Sequence, residues 1–171
     1  MKNIILALVL TFVGMGSYAQ QGFKVGIQGG IPVGDFNDKV GVVLGVDAGY
    51  MYALGEVIDL GITTGFIHGF PEKFQTGTVL ADLPNVQFVP IAGSIRLWPS
   101  NSFSLGVDVG QAFGINDGNE GGLYYRPLIG FLLGPQTELN LSYTGINLEG
   151  DSWSTANIGI LYTFETSRGR R

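Results

Sequence analysis

Along most of the chain, apolar and polar side chains alternate in short segments, without the three-to-four-residue rhythm of a helix. Alternation with a period of two places successive side chains on opposite faces of a strand. Clusters of Gly, Pro, Asn and Asp separate the segments, as turns require. The pattern predicts eight strands, at 22–33, 40–53, 56–68, 85–98, 102–113, 123–133, 137–146 and 153–164.

The connections between these strands alternate in length. "LG", "PSN" and "GPQ" are tight, whereas "GDFNDK", "NDGNEGG", "NLEGDS" and above all "GFPEKFQTGTVLADLP" are longer. Short turns at one rim and longer loops at the other are typical of an up-and-down barrel. We therefore expect an all-β fold, an eight-stranded antiparallel up-and-down β-barrel with both termini at the short-turn rim.

The two faces of the strands differ in polarity. In "LGVDAGY" at 44–50 and "LGVDVGQ" at 105–111, leucine and valine share one face, while glycines and an aspartate share the other. A face of Gly, Ser, Thr and Asn makes a poor water-exposed exterior but suits a narrow lumen. The pattern predicts a transmembrane barrel whose apolar face contacts lipid. A soluble, lipocalin-like binder with the apolar face around a ligand is the alternative.

Charged side chains recur on the small, polar face. Isolated charges in a narrow lumen would be costly, so they need partners. We predict a buried ion-pair and hydrogen-bond network that plugs the barrel, with Arg96 and Asp108 on successive strands. Unconnected carboxylates beside lumenal water are the alternative. The predicted lumenal network consists of Asp47, Asp59, Arg96, Asp108, Arg126 and Glu138.

The amino terminus has the features of a secretory signal peptide. Lys2 precedes the apolar run "IILALVLTFV", and the small residues Ser17 and Ala19 precede Gln20. We predict a signal peptide at 1–19, a barrel at 20–164 and a short basic tail at 165–171. The apolar run is too short to span a bilayer as a helix, although an uncleaved anchor is an alternative.

The amino-acid composition excludes several kinds of site and partner. The chain has no cysteine, which excludes disulfides, thiolate metal sites and lipid attachment through an N-terminal cysteine. Its net charge is −5, so nucleic acid is not an expected partner. Charged residues make up only 13% and Gly 28 of 171 residues, which is unusual for a soluble domain and compatible with membrane strands.

The last predicted strand carries a more specific pattern. "NIGILYTF" at 157–164 has the polar Asn157, Gly159 two positions on, and the aromatic residues Tyr162 and Phe164, and it resembles the C-terminal recognition sequence of outer-membrane barrels. With the eight segments, the chain resembles the porin-like outer membrane protein beta-barrel family, akin to the OmpA transmembrane barrel. Members commonly end on the aromatic residue, whereas "ETSRGRR" follows Phe164 here.

The resemblance implies a place and partners for the protein. It implies the bacterial outer membrane, reached with a cleaved signal peptide, and a monomer. The implied partners are outer-membrane lipids and lipopolysaccharide, together with the barrel assembly machinery. It argues for fold and location more than for activity, because function belongs to sites and not to folds.

The barrel fold predicts the positions of aromatic residues and of irregularities in particular strands. Two aromatic girdles are expected, Tyr52, Phe103, Tyr162 and Phe164 near the short-turn rim and Phe66, Phe70, Phe113, Tyr143 and Trp153 near the long-loop rim. Pro90 and Pro127 cannot donate to a ladder, so each predicts a bulge or register irregularity. Strict alternation along its strand places Trp98 on the inward face, which suggests a bulge before it.

No catalytic, metal or cofactor site is expected. His68 is the single histidine, and no serine or acid lies two residues from it; Glu72 is the nearest carboxylate. Small barrels that are lipid A deacylases or palmitoyltransferases place histidine and serine together, so we expect an interfacial histidine and no enzyme. "GDFND" and "NDGNEGG" lack the full spacing of a calcium loop and are interpreted as solvated turns, with divalent ions bridging lipopolysaccharide phosphates as an alternative.

Two functions remain open. The first is a structural or interaction role, in which a plugged barrel presents its outer loops to surface partners. The second is a low-conductance channel for small solutes, since eight strands leave an interior only wide enough for side chains.

Overall fold

The computed structural model describes residues 22–34, 40–55, 57–71, 85–116, 119–148, 150 and 152–165. The predicted signal peptide, Gln20, Glu72 and the tail after Glu165 lie outside these residues. Eight strands are present: β1 Gly22–Pro32, β2 Val40–Ala53, β3 Ile58–Pro71, β4 Val86–Ser100, β5 Phe103–Gly114, β6 Gly122–Leu132, β7 Thr137–Asn147 and β8 Ser152–Glu165. In this part of the chain, no helix has the length and apolar composition needed to cross a membrane.

The strands form a closed antiparallel barrel in which each strand pairs with its sequence neighbour and β1 pairs with β8. The closing seam runs from Gly22–Glu165 to Pro32–Thr155 without a register shift. The predicted eight-stranded antiparallel up-and-down barrel is thus confirmed. Closure pairs both edge strands with each other, so the sheet has no open edge.

The tight turns lie at the rim where β1 begins and β8 ends. In the turn from β2 to β3, Gly55 has a φ of 116°, a conformation that favours glycine. The backbone N–H of Leu54 donates to the carbonyl of Ile58 at 2.7 Å and closes this turn. The connections at this rim have four, two and four residues, whereas those at the other rim have seven, fourteen, seven and four. The predicted alternation therefore holds except at the last two connections, which are equal in length.

The two prolines disturb the sheet less than expected. Pro90 pairs with Ala112, and Pro127 pairs with Val107, both within continuous registers. Each proline also has a second neighbouring strand, β3 for Pro90 and β7 for Pro127. The pairing with that strand is interrupted at the proline and then resumes in the same register. The predicted bulges at these residues are wrong, because a proline can lose one ladder hydrogen bond without shifting the strand.

The register shifts lie elsewhere. One falls between Val40 and Val42, and it turns Val40 into the lumen while Val42 faces outward. The other falls between Leu97 and Ser100 on the β5 side, an interval that contains Trp98. On the β3 side no shift precedes Trp98, because its backbone N–H donates to the carbonyl of Val57, one step beyond the pair of Leu97 with Ile58. The irregularity predicted at Trp98 is therefore present only in the pairing with β5.

The polarity of the barrel is inverted relative to a soluble protein. Ile27 and Ile62 on the outer wall are 65% and 67% exposed, whereas Asp59 and Asp108 in the lumen are completely buried. This arrangement contradicts the lipocalin-like alternative, which requires the apolar face inside. Among the predicted girdle residues, Trp153 is the exception: it is buried in the lumen against Phe88, with 5.4 Å between ring centroids.

Candidate functional site in the lumen

Among the described residues, seven charged side chains from seven strands point into the lumen. Alternation explains their direction, since each lies at an inward position between two outward positions of its strand, and most of these are apolar. Every one is less than a tenth exposed. They are Lys24 on β1, Asp47 on β2, Asp59 on β3, Arg96 on β4, Asp108 on β5, Arg126 on β6 and Glu138 on β7.

The first group, the Arg126 cluster, lies near mid-height and consists of Arg126, Asp47 and Asp108. Arg126 Nη1 donates to both oxygens of Asp47 at 2.9 Å. Its Nε and Nη2 lie 2.8 and 2.7 Å from Asp108 Oδ2. Because β2 and β6 are not neighbours, the bonds to Asp47 cross the lumen.

Neutral side chains complete the bonding of these two carboxylates. Ser94 Oγ donates to Asp108 Oδ1 at 2.5 Å, and Gln28 Nε2 donates to Asp47 Oδ1 at 3.2 Å. A buried ion pair is tolerable only when its remaining lone pairs are also satisfied. The Arg126 cluster meets that condition, since all four carboxylate oxygens accept hydrogen bonds.

The second group, the Glu138 cluster, lies in the short-turn half and consists of Glu138, Arg96 and Lys24. Arg96 Nη1 donates to Glu138 Oε1 at 3.0 Å, and Lys24 Nζ lies 3.5 Å from Glu138 Oε2. These residues belong to β1, β4 and β7, so this group also joins strands across the lumen. Arg96 therefore bonds to Glu138, and Asp108 bonds to Arg126.

Asp59 and Trp98 close the short-turn end of the lumen. Trp98 Nε1 donates to Asp59 Oδ2 at 2.7 Å, and Lys24 Nζ lies 5.6 Å from the centre of the Trp98 ring. Asp59 Oδ1 and Arg96 Nε have no hydrogen-bond partner in the described residues. The short-turn half of the lumen is thus less completely bonded than the Arg126 cluster.

Little open space separates the two clusters. A cavity of about 10 Å³ lies between them, with Lys24, Asp47, Arg96 and Arg126 in its wall. A cavity needs roughly 10–15 Å³ to hold one water molecule. The interior between the clusters therefore has room for about one water and for nothing larger.

The long-loop half of the lumen has a different character. Phe88 and Trp153 pack edge to face there, and both are completely buried. This apolar plug rests on the long-loop side of the Arg126 cluster. Its buried members are Val40, Val43, Ile67, Phe88, Ala92, Ala112, Tyr124, Ile146 and Trp153.

The sequence analysis overlooked Lys24, although the signal was available. In "FKVGIQ", Phe23, Val25 and Ile27 alternate with Lys24, Gly26 and Gln28. The same parity that identified Asp47 places the lysine and the glutamine in the lumen. Both are buried and contact members of the two clusters.

The predicted assembly signal divides between the two faces of β8. Asn157 points inward and donates to Thr144 Oγ1 at 3.1 Å and Thr155 Oγ1 at 3.0 Å. Tyr162 and Phe164 point outward, with ring centroids 4.8 Å apart. Gly159 points inward, where an added Cβ would lie 3.1 Å from Asn140 Oδ1.

His68 lies on the outer wall at the long-loop end of β3. Its Nδ1 is 3.0 Å from Gln87 Nε2, and its ring packs against Phe66 and Phe70 at centroid distances of 6.2 and 4.3 Å. The neighbours of His68 are therefore one amide and two aromatic rings. Within the described strands, no group of three or more His, Asp or Glu side chains is placed to hold a metal ion.

Comparison with solved structures finds small membrane barrels. The outer membrane protein Ail of Yersinia pestis in a phospholipid bilayer nanodisc is similar, with a TM-score of 0.58 and 18% identity over 84% of this chain and 100% of that chain. The crystal structure of Ail, the attachment invasion locus protein, gives a TM-score of 0.54 and 15% identity over 84% and 97%.

A de novo designed transmembrane beta-barrel is also similar, with a TM-score of 0.53 and 14% identity over 87% of this chain and 100% of that chain. No protein-family model matches the chain, and no curated protein matches it. At these identities the likeness shows the fold: a closed eight-stranded barrel of the size and topology of small transmembrane barrels.

Proposed function

We propose that the protein is an integral barrel of the bacterial outer membrane with a lumen closed to solutes, and that it acts as a structural or interaction protein through its longer loops. The observation that carries this proposal is the inverted polarity of the wall. Leucine, isoleucine and valine cover the outside, whereas lysine, arginine and carboxylates are buried inside. A bilayer is the solvent that favours this arrangement, since closed barrels satisfy every backbone group within the sheet.

Two layers in the lumen support closure. The apolar plug fills the long-loop half, and the Arg126 cluster bridges the barrel beneath it. A solute would have to displace Trp153 and Phe88. It would then have to break the hydrogen bonds that join Arg126 to two carboxylates. The low-conductance channel remains the second function, and these contacts argue against it.

The partners follow from the proposed location. The outer wall would contact membrane lipids and lipopolysaccharide, and β8 would present Asn157, Gly159, Tyr162 and Phe164 to the assembly machinery. The protein would act as a monomer, without a cofactor and without catalysis. The name of the attachment invasion locus protein associates a similar fold with attachment, and surface contact through the longer loops is the corresponding role proposed here.

Fractionation and heat-modifiability test the location. The full chain is expressed in a bacterium with two membranes, and boiled and unboiled samples of each fraction are compared in detergent gels. We expect the protein in the outer membrane, with a change in migration on boiling because a closed barrel resists detergent unfolding. A periplasmic, detergent-free protein without that change would overturn the proposal.

Planar-bilayer conductance tests closure. The wild type should conduct no more than the bare bilayer, and the double variant Arg126→Ser, Trp153→Ala, which removes the central residue of each layer, should conduct ions. Ile62→Ala is the matched control, because Ile62 faces outward and leaves the lumen unchanged. Equal, substantial conductance of the wild type and the double variant would favour the channel instead.

A further inference from the structure

An apolar groove of about 760 Å³ crosses the outer wall of the barrel over β5, β6, β7, β8 and β1. Three outward residues in its lining are small or compact: Gly29, Pro127 and Ala156. Leucine, isoleucine or valine occupies most outward positions around them. The groove therefore results from missing side-chain volume on one side of the barrel.

The groove runs obliquely from one rim toward the other. It begins at Ile31, next to the long-loop end of β1, and reaches Leu105, near the short-turn end of β5. Because barrel strands are tilted by about 35–45°, a line across five of them descends through the depth of the wall. An extended apolar chain could therefore lie in it over much of the wall's height.

Polar side chains line the long-loop side of the groove and its middle, where Ser142 and Asn157 belong to the lining. Tyr143 lines the groove toward the long-loop rim, and its hydroxyl donates to Ser154 Oγ at 2.8 Å. The ring of Tyr125 lies 6.2 Å from that of Tyr143. Among the described residues, no charged side chain lines the groove. The lining is otherwise apolar, which matches a hydrocarbon chain.

We propose that this groove, here called the acyl groove, binds one acyl chain of a membrane lipid along its apolar lining. The inference rests on the proposed membrane location. It adds a defined lipid site to a wall that would otherwise have only non-specific contact with the bilayer.

A second copy of the chain fits the groove less well. Closed dimers are normally two-fold symmetric, so the same patch of each copy faces the other. A dimer centred on this wall would place one concave groove against another and enclose a void, which loses dispersion contacts. A flexible acyl chain fills the concavity without that loss.

Two substitutions can fill the acyl groove, and one matched substitution leaves it empty. A Cβ added at Gly29 would lie 3.6 Å from Leu44 Cδ2, an ordinary contact, so Gly29→Leu adds volume without a backbone clash. Ala156→Leu is the second variant. Gly93→Leu is the control, since Gly93 faces outward on β4, away from the groove, and its nearest neighbour would lie 3.9 Å away.

The test counts bound lipid on the full chain by native mass spectrometry in mild detergent, with dipalmitoyl phosphatidylglycerol as the probe. We expect one retained lipid on the wild type and on Gly93→Leu. Gly29→Leu and Ala156→Leu should bind it about tenfold more weakly, since each buried methylene contributes about fourfold to affinity. Dioctanoyl phosphatidylglycerol, with the same headgroup, should also bind more weakly than the probe.

Three results would overturn the inference: equal retention by all variants, equal binding of the eight-carbon lipid, or a wild-type dimer that Gly29→Leu abolishes. The heat-induced gel shift of each variant shows that it has folded. If the wild type shows that shift and fractionates with the outer membrane but retains no lipid, the acyl groove alone is refuted. A wild type that is soluble without detergent would refute the membrane location as well.

Discussion

Replacing Arg126 with methionine removes the one cation that bonds to both Asp47 and Asp108. Methionine keeps most of the length of the side chain, so the main change is the loss of charge and of hydrogen bonds. Two carboxylates would then remain buried in the lumen, with only Gln28 and Ser94 as donors. Removing one partner of a buried ion pair costs about 3–5 kcal/mol, and we expect a loss of that size in the free energy of unfolding.

A triple variant separates the charge from the packing. Asp47→Asn and Asp108→Asn, combined with Arg126→Met, leave a neutral lumen of nearly unchanged volume. Neutral replacement of a whole buried ion cluster is often tolerated without loss of stability. We therefore expect the triple variant to regain most of the stability that the single variant loses.

Urea unfolding in lipid vesicles, followed by the heat-modifiable gel shift, measures both variants. With a urea dependence of about 2 kcal/mol/M, the single variant should unfold roughly 2 M earlier than the wild type. Ile62→Ala on the outer wall serves as a control for substitutions outside the lumen. An unchanged midpoint for Arg126→Met would mean that lumenal water solvates the carboxylates, and the reasoning from a buried network would be refuted.

Three further outcomes are expected. Trp153→Ala removes the largest side chain of the apolar plug from its contact with Phe88 and should lower the free energy of unfolding by about 3–5 kcal/mol in the same urea assay. Gly110→Ala should destabilise the barrel, because the added Cβ meets the backbone carbonyl of Ile91, whereas Gly93→Ala on the neighbouring strand should be neutral; comparison of their melting temperatures checks this. Phe164→Ser should reduce the amount of protein in the outer-membrane fraction without lowering its synthesis, if the end of β8 serves in assembly; equal amounts would contradict that role.

The fold was predictable because strand alternation and turn residues are local signals. "LGVDAGY" shows from its own letters that Asp47 and Leu44 lie on opposite faces, and the lengths of the connections indicate which rim each turn occupies. The same alternation along the strand also placed Arg126 and Glu138 in the lumen. These features need only a period of two, which every strand has.

The bonds between lumenal residues were not predictable in the same way. Whether Arg96 meets Asp108 depends on the register between β4 and β5, and whether it meets Glu138 depends on the relative heights of β4 and β7, which follow from the way the barrel closes. Alternation within one strand carries no information about that register. Trp153 was assigned to a girdle by its distance from the rim, although its even spacing from Asn157 places it on the inward face of β8.

The bonds across the lumen have a consequence for the folding pathway. Arg126 reaches Asp47 over a sequence separation of 79 residues, and Arg96 reaches Glu138 over 42. Neither pair can form in an isolated hairpin or in an open sheet of a few strands, since its members meet only when the two ends of the sheet have joined. Asp108 can already meet Arg126 in the hairpin of β5 and β6, where the two residues are paired. Asp47 and Glu138 would stay without their cross-lumen partners until closure, and this favours a cooperative transition in which insertion and closure occur together.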